Sequence, residues 1–425
     1  MNEGALLYVD IWDDISPLSA WVFRILNFVF GRSQLALQIL GLFLFFFQLS
    51  YTNYVSLKHK MYNENNYLPA LFYGILGLAF FNIITLSPQL MGLTFILLSI
   101  NSLFNHIETR NRTDGNLLNI GLYIGVASLF FLPYIFMIFI HFLGLIIFTN
   151  TIKRRYLLLI YGVGIPMIIC WLIYVWLGKT PELFGLYFYS IFNFDTEQYL
   201  SYKTIFVIAG ITILFYILSV FKILSGFGFT IFQVRVQKIM LFASVVSLFI
   251  FVFHSDKDGY SFIMFFPWIA FFLSHFFLSI KNSLKRELTF LIYFLSIVVL
   301  YFGIRFQSFN LNNFIILDSI FVKTESSDEI YTDKKILVLG PDINPYFLGK
   351  QATPYFNWNL SKDQLENIEY YDNLEAIDKN IRSDMPEFII DQIGLAPKLF
   401  DQIPLLGMQY EEKGNGIFRR IKSSN

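Results

Sequence analysis

The sequence predicts an α-helical polytopic membrane protein of about ten transmembrane helices, followed by a small C-terminal α/β soluble domain. Composition, the spacing of apolar runs and the alternation of charge between those runs carry the prediction. The 425 residues are 56% hydrophobic and 15% charged, with 51 Phe and 25 Tyr. A chain that apolar cannot cover its surface in water, so it needs a lipid bilayer around it.

A bilayer span takes roughly 20 apolar residues, slightly fewer where flanking side chains reach the interface. Runs of that kind lie near 35–50, 69–85, 91–104, 117–131, 134–149, 156–177, 204–221, 239–253, 261–280 and 288–304. The two runs flanking Pro133 are also consistent with one long kinked helix.

Charge orients the spans. Connections bearing Lys58 and Lys60, Arg110 and Arg112, Lys153 to Arg155, Lys222 to Lys238, and Lys281 to Arg286 hold 13 of the 19 basic residues before Leu317. By the positive-inside rule these face the cytoplasm. The alternate connections and the N-terminal stretch hold 9 of the 13 acidic residues, among them Asp10, Asp13, Asp14, Glu182, Asp195, Glu197, Asp256 and Asp258. Both termini are therefore expected on the outer side. Residues 1–34 read as an outer acidic loop with an interfacial helix, 35–304 as the transmembrane domain, and 305–425 as the outer soluble domain. Met1 to Asp14 has neither the basic start nor the apolar core of a signal peptide. A chain that begins outside with no helix to carry it there is expected to lack a first helix.

The tail is a different material, with 18 acidic and 12 basic residues from Asp318 onward. Lys335 to Gly340 (KILVLG) has the pattern of a buried strand, 361–371 and 374–382 have helical periodicity, and 386–391 (PEFIID) is a second strand. Residues 417–421 are a candidate third. Strand, helices, strand makes a small α/β unit with a parallel pair. Gly340 and Pro341 end the first strand in a turn without a phosphate-binding glycine fingerprint.

Cysteine and histidine exclude several chemistries. Cys170 stands alone inside an apolar run, so no disulfide framework exists. The five histidines lack metal-ligand spacing, and His141 and His275 are expected to face helix partners inside the bundle. No Ser/His/Asp arrangement, no Walker loop and no feature calling for nucleic acid is present. The densest chemistry lies at the front, where Glu3 to Ser19 (EGALLYVDIWDDISPLS) sets four carboxylates beside a Tyr and a Trp. Carboxylates at a water–lipid boundary act as general bases or hold a divalent cation; otherwise such a loop is a solvated acidic turn. Behind it, 18–30 places Leu18, Val22, Ile25 and Val29 on one face, as in an amphipathic helix lying in the interface.

The string GALLYVDIWDDISPLSAWVFRILNFVFGRS resembles the first outer loop of C-type (GT-C) polytopic glycosyltransferases that use polyprenyl-phosphate sugars. Three later strings resemble family elements in the same order: NIGLYIGVASLFFLP (119–133), a glycine-spaced helix; DKDGYSFIMFFPW (256–268), an outer approach to a late helix; and ILVLGPDINPYFLGKQATPYFNW (336–358), the opening of a C-terminal outer domain. The resemblance implies transfer of a sugar from a polyprenyl-phosphate donor to an envelope lipid, glycan or protein, at the outer face of a bacterial inner membrane. It implies an acid role for Asp10, Asp13 or Asp14, with a divalent cation as an option there. It also implies phosphate contacts from Lys257 and Arg305 and an acceptor path lined by Tyr260. In many relatives the leading acid pair sits upstream, at the end of a first helix, and this sequence starts after that point. The family further implies that the aromatic stretch 181–200 covers the lipid donor; an interfacial aromatic belt is the alternative. Two other classes stay open: a non-catalytic scaffold or inactive relative, and a transporter or flippase, which the near absence of charge within the spans disfavours.

Overall fold

The long apolar runs form long helices. The computed structural model describes residues 6–31, 33–79, 85–108, 114–149, 152–178, 186–187, 202–224, 228–254, 259–306 and 329–421. Among the described residues the chain is mostly helical (74%). It divides into a helical unit, Ser16–Leu172 with Thr196–Val322, and a sheet unit, Met1–Ile15 with Ile173–Asp195 and Lys323–Asn425.

The helical unit begins with α1 (Pro17–Phe30), opened by Pro17 and closed at Gly31, whose φ of 63° with ψ of −156° is a conformation kept for glycine. There follow α2 (Gln34–Lys58), α3 (Leu68–Ala79), α4 (Pro88–Glu108), α5 (Asp114–Phe130), α6 (Ile138–Phe148), α7 (Lys153–Trp176), α8 (Tyr202–Leu224), α9 (Ile231–Phe253), α10 (Phe266–Leu278) and α11 (Ser283–Arg305). Among the described residues, seven helices are long and apolar enough to cross a membrane: α2, α4, α7, α8, α9, α11, and α10 together with the 3₁₀ turn Gly259–Phe265 that precedes it. The runs at 69–85, 117–131 and 134–149 give shorter helices. The α3 helix ends at Ala79 and α5 has 17 residues. Around Pro133 the chain breaks: Phe131 is extended (φ −147°, ψ 103°) and Leu132–Met137 is a 3₁₀ helix, so the pair is not one kinked rod.

Packing explains the glycine-spaced helix. A Cβ on Gly121 would lie 2.2 Å from the Leu159 carbonyl oxygen and 2.8 Å from the Gly162 Cα, and one on Gly125 would lie 2.6 Å from the Val163 carbonyl oxygen. The backbones of α5 and α7 touch through a G-x-x-x-G face, the close approach that small residues permit between apolar helices. Gln48 is one polar tie of the bundle. Its amide donates to the Leu90 carbonyl (2.6 Å) and to Thr94 Oγ1 (2.8 Å), and its oxygen accepts from the Tyr73 hydroxyl (2.8 Å). All its capacity facing α3 and α4 is used, as a buried amide requires.

The α1 helix covers the expected 18–30 run. Leu18, Val22, Phe23 and Leu26 pack inward, whereas Ile25 and Val29 are 61% exposed together with Phe28 and Phe30. Arg24 and Asn27 fall together on the side of the wheel opposite Leu18, Val22, Ile25 and Val29, the division of an amphipathic helix.

In the sheet unit, β1 (Lys335–Leu339), β2 (Lys350–Gln351), β3 (Phe388–Asp391), β4 (Tyr410–Gly414) and β5 (Ile417–Arg420) form a five-stranded sheet in the order β2-β1-β3-β5-β4. The β1 strand runs parallel to β2 and β3, and β5 antiparallel to β3 and β4. The expected parallel pair is thus β1 and β3. The helices between them are α12 (Trp358–Glu366) and α13 (Tyr371–Ser383); α14 (Ala396–Gln402) follows β3. Leu337, Leu339, Ile377, Ile381 and Ile389 form the core between the sheet and these helices. At the end of β3, Asp391 accepts backbone N–H bonds from Ile393 (3.1 Å), Gly394 (2.8 Å), Leu395 (3.0 Å) and Ala396 (2.7 Å). Asp391→Ala leaves buried N–H groups unpaired and is expected to destabilise this unit by about 3 kcal/mol. A melting temperature unchanged in the variant contradicts that role.

Candidate functional site

The acidic front loop folds with the C-terminal chain, inside the sheet unit. Its centre is Tyr8, fully buried, with φ at 67°. A bulky residue in the left-handed region costs free energy that surrounding contacts must offset. Those contacts are on hand. The Tyr8 hydroxyl donates to the Ile15 carbonyl (2.7 Å), its N–H donates to the Ile11 carbonyl (2.8 Å), and its ring lies 6.0 Å from the rings of both Tyr174 and Tyr187.

Trp12 clamps the loop to the segment after β2. Its N–H donates to the Pro354 carbonyl (2.8 Å) and its carbonyl accepts from the Asn357 N–H (3.1 Å). The indole stands edge-on to Tyr355 with ring centres 5.3 Å apart, a favourable aromatic geometry. Asn380 donates to the Tyr355 hydroxyl (2.9 Å), fixing that ring in turn. Two strings singled out for the same resemblance, GALLYVDIWDD and QATPYFNW, are hydrogen-bonded neighbours here.

The three aspartates differ. Asp10 is exposed, and its Oδ2 accepts from the Leu6 N–H (2.8 Å), which closes its own turn. Asp13 and Asp14 are half-buried, and Asp13 Oδ1 accepts from the Asp14 N–H (2.9 Å). Burial, and then the neighbouring Asp14 charge, push the Asp13 carboxyl up to about 8. Such a group takes up a proton near neutral pH, where an ordinary carboxylate does not.

This environment has a sign that can be measured. The folded-state value is raised above the ordinary 3.8, so the stability contributed by the protonated carboxyl is complete below about 4 and is lost as pH rises through about 8. The sheet unit is therefore expected to melt at progressively lower temperature between pH 4 and pH 8. Asp13→Asn, which stays neutral, is expected to flatten the profile; a parent chain already flat across this window contradicts the assigned environment.

The other expected site residues fall in the Thr196–Val322 stretch of the helical unit. Lys257 lies outside the described residues. Tyr260 is half-buried in the 3₁₀ turn Gly259–Phe265 of the helical unit, and Arg305 is the last residue of α11. Most of the 181–200 stretch also lies outside the described residues. Among the described residues, no group of three or more His, Cys, Asp or Glu side chains is placed to hold a metal.

The helical unit contributes a feature that sequence inspection missed. A cavity of about 540 Å³ runs between α8, α9, the 259–265 turn and α10, walled by side chains such as Ile213, Ile217, Val245, Leu248 and Phe262. Polar side chains interrupt it at Thr212 and at the Tyr216 hydroxyl, which pairs with Ser244 Oγ at 2.6 Å. The signal for it in the sequence is faint: a Tyr and a Ser in separate apolar runs, 28 residues apart. Compared with known protein families, with curated proteins and with solved structures, the chain matches none.

Proposed function

We propose that the chain is a membrane-embedded glycosyltransferase of the GT-C type, moving a sugar from a polyprenyl-phosphate donor to an envelope lipid, glycan or protein at the outer face of a bacterial inner membrane. The observation that carries the proposal is the environment of Asp13. A solvated acidic turn has no use for a buried, strained tyrosine, a tryptophan clamp and a carboxyl with raised proton affinity. All three are what a general base needs, since a base fixed in position with a proton affinity near the working pH is the most effective.

In this proposal Asp13 takes the proton from an acceptor hydroxyl. The hydroxyl oxygen forms a bond to the anomeric carbon, the bond from that carbon to the phosphate oxygen breaks, and polyprenyl phosphate leaves. Asp14 raises the proton affinity of Asp13, and Asp10 holds the loop turn. Lys257 and Arg305 are proposed to contact the donor phosphate and Tyr260 to line the acceptor path. The apolar cavity beside α8 and α9 suits an isoprenoid chain, with the Tyr216–Ser244 pair as its polar contact. The three shorter apolar segments complete ten spans in this topology.

The cellular test is loss of a surface glycan on Asp13→Asn at normal protein level. If every carboxylate from Glu3 to Asp14 is neutralised and the glycan persists, the loop has no catalytic part.

A further inference from the structure

A second cavity, of about 390 Å³, lies where α3 begins, α10 ends and α11 begins. Its floor is three rings in mutual contact: Phe72 and Phe277 stacked with centres 5.0 Å apart, and Phe290 at 6.1 Å and 5.9 Å from them. Its rim carries charge of both signs, Glu64, Arg286 and Glu287, all exposed. Among the described residues none of the three side chains forms an ion pair. Leu71, Leu284 and Leu288, beside it on α3 and α11, are 45%, 69% and 59% exposed, an apolar surface that adjoins the opening.

We propose that this cavity holds a phospholipid with a zwitterionic aminoalcohol headgroup, phosphoethanolamine in class, at the helix boundary bearing the basic connections. The polar rim over an aromatic floor matches the boundary where a lipid changes from headgroup to acyl chain. Arg286 offers a planar fork of N–H donors to the phosphate, and Glu64 and Glu287 accept from the ammonium hydrogens. Headgroups of other charge fit less well. An anionic glycerol headgroup meets two carboxylates for one guanidinium, and a trimethylated ammonium has no N–H to donate. The assignment requires that the helices lie in a bilayer but not that the chain transfers a sugar, so it stands or falls separately from the transferase.

The test is native mass spectrometry of the delipidated full-length chain in detergent, with phosphatidylethanolamine, phosphatidylglycerol and phosphatidylcholine of matched acyl chains. The parent chain is expected to retain the ethanolamine lipid about fivefold more than either of the others, the preference that about 1 kcal/mol of headgroup contact yields. Arg286→Gln is expected to lower retention of the ethanolamine and choline lipids alike. The double change Glu64→Gln with Glu287→Gln is expected to bring the ethanolamine lipid down to the choline level. All three positions are exposed, so the variants should keep the parent melting temperature. A parent chain with no headgroup preference, or with a preference for phosphatidylglycerol, overturns the proposal, as does a preference that survives in both variants.

Discussion

Asp13→Asn is expected to lower sugar transfer by about 10²- to 10⁴-fold, the range over which a positioned general base acts. Asparagine keeps the oxygen that accepts the Asp14 N–H, so the loop retains its shape while losing the proton acceptor. The pH profile separates this from a structural effect. With the Asp13 carboxyl raised to about 8, the basic form is filled only as pH rises through that value, and the parent rate should climb accordingly. The Asn variant should show no such climb. Asp10→Asn should cost far less, because Asp10 is exposed and its carboxylate is engaged in its own turn. Equal losses at positions 10 and 13 would point to loop disruption instead of lost catalysis.

Gly121→Val is expected to destabilise the helical unit by about 3 kcal/mol, the upper end of ordinary overpacking. The atoms that a side chain would meet at position 121 are the Leu159 carbonyl oxygen, the Gly162 Cα and the Val163 nitrogen, at 2.2, 2.8 and 2.9 Å. These are backbone atoms and cannot rotate aside, so one helix must move. Gly74→Ala is the matching control. It lies inside α3 with nothing within 4 Å of the added carbon, and replacing a helical glycine there should be neutral or stabilising by up to about 1 kcal/mol. Thermal melting in detergent compares the two. If both variants melt together, the α5–α7 contact is not as close as described.

Much of the fold was legible because the signals are local. Seven of the ten apolar runs have the length of a span, and the KILVLG and PEFIID strings form the central parallel strands. The helix expected at 361–371 instead occupies Trp358–Glu366, because Asn357 caps it by accepting the Asn359 N–H. The misses follow from what periodicity cannot express. The β2 strand has two residues, and β4 hides its pattern under Glu411 and Glu412, the charged dress of an edge strand.

Of the candidate site, the residue types were legible and their arrangement was not. Four carboxylates beside a Tyr and a Trp mark the front loop as unusual. That Trp12 pairs with Pro354 and Asn357 is a contact across most of the chain, and one sequence carries no trace of it. The raised proton affinity of Asp13 likewise depends on its burial, which residue types alone do not state.

Whether the sugar arrives on a lipid is read from transfer by the purified chain reconstituted in liposomes. Labelled sugar is offered either as a polyprenyl-phosphate conjugate or as a nucleotide conjugate, with an envelope lipid and glycan fraction as acceptor. A lipid-donor transferase takes label from the polyprenyl-phosphate donor alone, with free polyprenyl phosphate formed in equal amount. Label taken from the nucleotide donor, or a folded chain that leaves the lipid donor untouched, would contradict the proposed transfer.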